Sequence, residues 1–173
     1  MRKALSFFAI AAFAASPGVA QEGGVPTVFP TTPAKAVEAT RDCAAATSRS
    51  TVSDEVMLAR GWGPTEYRDA EGKTLEAGNL AVKGFWKPDG YPVILVDLSE
   101  PEKPKQCRIM SGYDDGYSYG DIVLEFTNAF GPPRTSTEDG RMGFQSNRHI
   151  IALASKEDKG KRIFAVLVQE LGE

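Results

Sequence analysis

The sequence predicts an α+β domain built on a single antiparallel sheet of about five to seven strands. Two helical stretches come first, β-favouring segments separated by turn residues follow, and one further helix interrupts those segments. This order lacks the regular alternation of strand, helix and strand that produces a parallel sheet. We therefore expect the two N-terminal helices and the inserted helix to pack on the sheet.

Residues 1–20 have the three zones of a secretory signal peptide. Arg2 and Lys3 are followed by an apolar stretch over 4–15 and then by small residues that end at Ala20. The apolar stretch is shorter than the ~20 residues that a membrane-spanning helix needs. We therefore expect cleavage near Ala20, as in a bacterial precursor, and a periplasmic or secreted mature chain.

The composition is that of a single globular domain with an acidic charge. The 173 residues are 42% hydrophobic and carry a formal charge of −3, which becomes −5 once Arg2 and Lys3 are removed. Such a chain lacks the basic face that binds phosphates, so we expect no nucleic-acid partner. No later stretch is long and apolar enough for a membrane span. Residues 21–32, rich in Gly, Pro and Thr, are expected to form a flexible leader before one domain over 33–173.

Local signals place the two N-terminal helices. Thr32 as an N-cap, with a proline directly after it, predicts a helix over 33–49. Ser53 caps a short second helix that Gly61 ends. Trp62 follows this glycine and is expected in the core, because a buried indole removes much apolar surface from water.

Turn residues divide the rest of the chain into strands and one helix. The turn at 88–90 predicts a hairpin between the strands that flank it. A helix over 118–130 interrupts the strands and ends at Gly131. The last two strands are apolar on both faces, which favours a central place in the sheet. The predicted strands cover 80–86, 91–98, 106–113, 141–145, 149–155 and 161–171.

Cys43 and Cys107 are the only two cysteines of the chain. In an oxidising compartment a lone pair of cysteines forms a disulfide. A reactive redox pair instead has its thiols close together in the sequence, as in C-x-x-C, and this chain has no such motif. The sequence therefore predicts a structural bond between the first helix and the third strand.

The common catalytic and metal-binding motifs are absent from the sequence. It contains no G-x-S-x-G, no phosphate-binding glycine loop and no H-E-x-x-H. The single histidine, His149, starts a predicted strand and is expected to be hydrogen-bonded at the end of the sheet. A zinc site needs more imidazole or thiolate ligands than one histidine supplies. No metal or other cofactor is expected.

The segment 113–121 is the most unusual part of the sequence, with three tyrosines and three aspartates in nine residues. Tyrosine is common in binding surfaces because it offers a large, rigid and amphipathic contact area. In the alternative interpretation, Ser118 or Asp121 caps the helix that follows. The spacing of acidic residues and glycine does not match an EF-hand. The candidate binding residues are Tyr113, Asp114, Asp115, Tyr117, Tyr119 and Asp121.

From these features we expect an exported, non-catalytic domain that binds or inhibits a protein or cell-envelope partner. The alternative is a cell-envelope hydrolase that uses carboxylates or His149, since catalytic groups assembled in space need not leave a sequence motif. A structural envelope protein without a single ligand is the third interpretation.

The predicted disulfide can be checked on the exported protein by mass spectrometry without reduction. The peptides that contain Cys43 and Cys107 should be joined, and no free thiol should react with an alkylating reagent. Two alkylatable thiols would contradict the prediction and would favour a redox or metal-binding role for the cysteines.

Overall fold

The computed structural model describes residues 30–65, 82–98, 103–113, 116–158 and 161–172. The predicted signal peptide and the leader up to residue 29 lie outside these ranges. The described chain forms three helices, which are α1 (Pro33–Ala46), α2 (Asp54–Ala59) and α3 (Tyr119–Phe130). Its strands are β1 (Pro30–Thr31), β2 (Gly63–Pro64), β3 (Val82–Trp86), β4 (Val93–Asp97), β5 (Gln106–Tyr113), β6 (Thr135–Ser136), β7 (Met142–Ser146), β8 (His149–Asp158) and β9 (Lys161–Glu170).

These strands form one mixed sheet in the order β2-β3-β4-β5-β9-β8-β7-β6, with antiparallel neighbours along this path. The α+β class is confirmed, and β8 and β9 are central as their two apolar faces predicted. The predicted strand number was too small. The described sheet has nine strands, and three of these (β1, β2 and β6) are only two residues long. A strand of two residues has no periodicity from which it can be recognised.

One strand also departs from the predicted antiparallel arrangement. β1 runs parallel to the end of β5, with Pro30 opposite Gly112 and Thr31 opposite Tyr113. β4 pairs with β5 only as far as Met110, so β1 occupies the edge that β4 leaves open. The last residues of the predicted leader are therefore a strand of the sheet.

The helices form a second layer, but their arrangement differs from the expected one. α1 lies against β5 and β9, and α3 packs on α1 and on β7. α2 makes its main contacts with α1 and not with the sheet. It is six residues long and buries only Met57, so it is too short to cover strands as well.

α1 begins where the sequence predicts and ends three residues early. The Thr32 side chain accepts a hydrogen bond from the backbone N–H of Lys35, and Pro33 occupies the first turn. Thr47 has an extended backbone and bridges to Val52, which stops the helix at Ala46. A bridge of this kind, between residues just beyond the helix, leaves no signal in the helical periodicity.

The core lies between the helix layer and one face of the sheet. Apolar residues that face each other on neighbouring strands form a continuous layer across the sheet. At the centre of this layer, the fully buried Cys107 of β5 is bonded to the equally buried Cys43 of α1. An intramolecular disulfide is compatible with an extracytoplasmic location. The two central rows of the layer are Val96, Cys107, Val168, Ile151 and Phe144, and Ile94, Ile109, Val166 and Leu153.

A buried carboxylate holds the chain after α2 against α1. Asp42 is only 5% exposed, and it accepts hydrogen bonds from the Arg60 guanidinium at 2.7 Å and from the Trp62 indole N–H at 2.9 Å. Trp62 is almost fully buried, as predicted. Two donors to one buried carboxylate compensate for its loss of water.

A two-residue strand pairs with part of the neighbouring strand at each end of the sheet. β2 pairs with β3 through Gly63 and Pro64, and β6 pairs with β7 at Met142 and Gly143. A Cβ atom at Gly143 would collide with the hydroxyl of Thr135, so a larger residue here would require β6 or the Thr135 side chain to shift. Among the described residues, no helix has both the length and the hydropathy to cross a bilayer.

The position of Phe126 predicts a large difference between two substitutions in α3. Phe126 is fully buried against Phe130 and Phe144, whereas Leu124 is 60% exposed. Phe126→Ala should lower the free energy of unfolding by about 3–5 kcal/mol, because it leaves a cavity between the helix and the sheet. Leu124→Ala should change it by no more than about 0.5 kcal/mol. Urea denaturation of both variants measures the difference, and similar losses would contradict this packing.

Candidate functional site

The predicted binding segment connects the end of β5 to the start of α3. Asp114 and Asp115 lie outside the described residues, and the description resumes at Gly116. Gly116 has a φ of +93°, and a Cβ atom there would contact nothing, so glycine is favoured by the backbone and not by crowding. The three tyrosines of the segment and Asp121 lie in four different environments.

Tyr113 is anchored on the sheet. Its ring packs against Phe164 with a centroid distance of 5.9 Å, and its hydroxyl lies 2.6 Å from the Ser155 hydroxyl. The Arg162 guanidinium lies over the same ring at 5.9 Å. Burial raises the pKa of Tyr113 above its usual range, against the opposing influence of Ser155 and Arg162.

Tyr119 is anchored in the first turn of α3. Its hydroxyl donates to the backbone carbonyl of Gly140 at 2.8 Å and lies 3.3 Å from that of Leu153. These contacts hold the loop before β7 and the middle of β8 against α3. Burial, reinforced by Tyr113 and Asp139, raises the pKa of Tyr119 to about 12.

Asp121 and Ser118 cap α3 reciprocally. The Ser118 hydroxyl accepts from the Asp121 N–H at 3.3 Å, and the Asp121 carboxylate accepts from the Ser118 N–H at 2.7 Å. The Ser118 hydroxyl lies 2.6 Å from the same carboxylate, and these bonds from Ser118 lower the pKa of Asp121. This is the capping arrangement that the sequence offered as the alternative interpretation.

Tyr117 differs from the other two tyrosines of the segment. Its side chain is 42% exposed, and it has no hydrogen-bond partner within the described ranges. It is followed immediately by the Ser118 cap and then by the anchored Tyr119. The described part of the segment therefore displays one exposed aromatic side chain next to the anchored start of α3, and a binding role for these residues stays a prediction.

His149 is hydrogen-bonded at the end of the sheet, as the sequence predicted. Its Nε2 lies 3.0 Å from the backbone carbonyl of Thr47, and because a carbonyl only accepts, this nitrogen is the donor. No carboxylate bonds to the ring among the described residues. The hydrolase interpretation therefore lacks, in this part of the chain, the acidic group that orients a catalytic histidine.

The described part of the chain contains no cluster of metal-binding side chains. No three His, Cys, Asp or Glu residues lie close enough there to hold an ion. The two cysteines are bonded to each other and supply no thiolate.

A polar cluster that the sequence did not reveal joins α1 to the turn between β3 and β4. The Glu38 carboxylate accepts from the Tyr91 hydroxyl at 2.7 Å and from Lys87 at 2.9 Å, and these bonds lower the pKa of Glu38. Lys87 also lies over the rings of Tyr91 and Trp62. The partners are about fifty residues apart in the chain, so no local motif identifies them. The cluster connects elements of the fold and presents no free reactive group.

The chain was compared with protein-family models, with curated proteins and with solved structures, and no match was found.

The buried hydroxyl of Tyr119 predicts a specific loss of stability at alkaline pH. Because its folded pKa of about 12 lies above the usual value of 10, the folded state keeps a proton that the unfolded state loses. Its contribution to stability is therefore complete below pH 10 and is lost as the pH rises towards 12. In urea denaturation, the difference between the wild type and Tyr119→Phe should shrink over this interval. A difference that stays constant from pH 9 to pH 12 would contradict this environment.

Proposed function

We propose that the protein is an exported, non-catalytic domain that binds a protein or cell-envelope partner through the segment 113–121. The observation that carries this proposal is Tyr117, a large aromatic side chain that is 42% exposed and lies between the anchored residues Tyr113 and Tyr119 in the sequence. An exposed tyrosine combines apolar area with a hydroxyl that remains free to hydrogen-bond.

Anchored residues near Tyr117 favour binding, because they reduce the conformational entropy that is lost when a partner binds. Tyr113 is held by Phe164 and Ser155 before the segment, and Tyr119 is held by Gly140 after it. The Ser118 cap sets the chain direction at the start of α3. A partner therefore meets a side chain next to a capped helix start, and the anchored residues on its C-terminal side reduce the conformational freedom lost on contact.

Charge indicates the chemistry of the partner. The chain is acidic overall, and the segment itself contains three aspartates. Complementary charge speeds association and excludes partners of the same sign. We therefore propose a partner with a basic surface around an apolar recess that accepts the Tyr117 ring.

Two independent features support an exported location. The first 20 residues have the pattern of a signal peptide, and the chain contains a buried disulfide between residues distant in sequence. The proposed destination is the periplasm or the exterior of a bacterial cell, where the partner would be met.

Site-specific photo-crosslinking tests the proposed surface. A benzophenone amino acid at position 117 should give one discrete adduct with a partner from a cell-envelope extract. The same probe at position 58, where Leu58 is 55% exposed on α2, is the matched control and should not give this adduct. Tyr117→Ala should weaken the affinity for that purified partner by about tenfold or more, as for a central aromatic contact, without a change in unfolding.

The same experiment can contradict the proposal. An identical adduct from positions 117 and 58, or an unchanged affinity after Tyr117→Ala, would show that the segment is not the binding surface.

A further inference from the structure

A cavity of about 340 Å³ lies at the opposite end of β8 from the segment 113–121. Its walls come from three elements: α1, the C-terminal end of α3 and the turn between β7 and β8. The volume is at the lower end of the range for small-molecule sites, about 300–1,000 Å³, so it suits a small ligand or the last residue of a peptide.

Four of the residues that line the cavity are apolar. Ala44 of α1 and Ala129 of α3 face it, together with Ala45 and the ring of Phe130. Three alanines leave the space that longer side chains at these helix positions would fill. An apolar group of a ligand would displace water from this wall, which favours binding in proportion to the area covered.

The other residues of the lining are polar, and one of them, Arg41, carries a positive charge. Arg41, exposed on α1, lies over the Phe130 ring at 5.8 Å and pairs with no carboxylate in the described ranges. Asn147 and His149 face it from the turn between the strands. Within the described ranges no acidic residue lines the cavity, although acidic residues outnumber basic ones in the sequence as a whole.

The walls are held in place independently of any ligand. The hydrogen bond from His149 to the Thr47 carbonyl ties the turn to the end of α1. Arg148 in the same turn pairs with Glu170 at 2.8 Å, and α1 is bonded covalently to the sheet through Cys43. Because the cavity is formed before binding, the protein loses little conformational entropy when a ligand occupies it.

We propose that this cavity binds an organic carboxylate that carries an apolar group, which is either a free acid or the C-terminal carboxylate of a peptide. The Arg41 guanidinium receives the carboxylate, since its planar donors match both oxygens. The apolar group lies against Ala44, Ala129 and Phe130. The site is separate from the segment 113–121 and does not depend on its proposed role.

NMR titration of the mature chain tests the site with matched probes. The acid probe is 3-phenylpropionate and its neutral control is 3-phenylpropanamide, which has the same apolar group without the charge. The peptide probe is Ala-Ala-Phe with a free C-terminus, against the same peptide with an amidated one. Saturable shifts of the Ala45 and Asn147 amide signals are expected with both carboxylates, and both amides should bind at least about tenfold more weakly.

Two arginine variants separate specific recognition from general charge. Arg41→Gln should weaken carboxylate binding by at least about tenfold, because a charge-assisted hydrogen bond is lost. Arg134→Gln changes an exposed arginine outside the cavity and should leave the affinity unchanged. Wild-type amide spectra away from the site establish that both variants are folded.

The relative affinities of the two carboxylates identify the source of the ligand. Tighter binding of 3-phenylpropionate assigns the cavity to free acids, and tighter binding of the peptide assigns it to C-termini. Equal binding of acid and amide, an unchanged affinity after Arg41→Gln, or no saturation by about 10 mM of either carboxylate would overturn the proposal.

Discussion

The covalent bond between Cys43 and Cys107 fixes α1 across the centre of the sheet, and the rest of the helix layer is built on α1. The bond closes a loop with a sequence separation of 64 residues, for which a chain-entropy treatment gives about 4 kcal/mol of stabilisation. α2 and α3 both pack on α1, and α3 presents the tyrosine segment at its N-terminus. The cavity at the opposite end lies between α1 and the C-terminus of α3. Both proposed surfaces therefore depend on where this one helix is held.

Hydrogen bonds of two carboxylates on α1 also hold this helix in place. Asp42 on α1 binds Arg60 and Trp62, and Glu38 one turn earlier binds Lys87 and Tyr91. The first carboxylate is buried and the second is near the surface, so they differ in how much water they lose. Together they hold two separate stretches of chain against the helix, each through a pair of donors. Glu38 and Asp42 are four residues apart and lie on one face of α1, so the direction of the helix is set by contacts along this face as well as by the disulfide.

The sequence predicted the features that depend on local interactions more accurately than those that depend on contacts between distant residues. β5 was predicted to the residue and α3 to within one residue. The bounds of α3 were predictable because Ser118 and Gly131 act on the backbone within one turn of their own positions. Tyr117 and Tyr119 are chemically identical and two residues apart, yet only Tyr119 meets Gly140. Long-range pairings of this kind decided what the sequence could not predict, including the two-residue strands and the cavity beside Arg41.

The short strands at the edges of the sheet also bear on aggregation with other protein chains. An open strand edge offers unpaired N–H and C=O groups on which another chain can extend the sheet, which leads to aggregation. β2 covers β3 with Pro64, which has no N–H to offer, and β6 covers the start of β7 with a threonine and a serine. A larger residue at 143 would disturb the pairing of β6 with Met142 and Gly143. The N–H and C=O groups freed at the start of β7 would then be open to pairing with a strand of another chain.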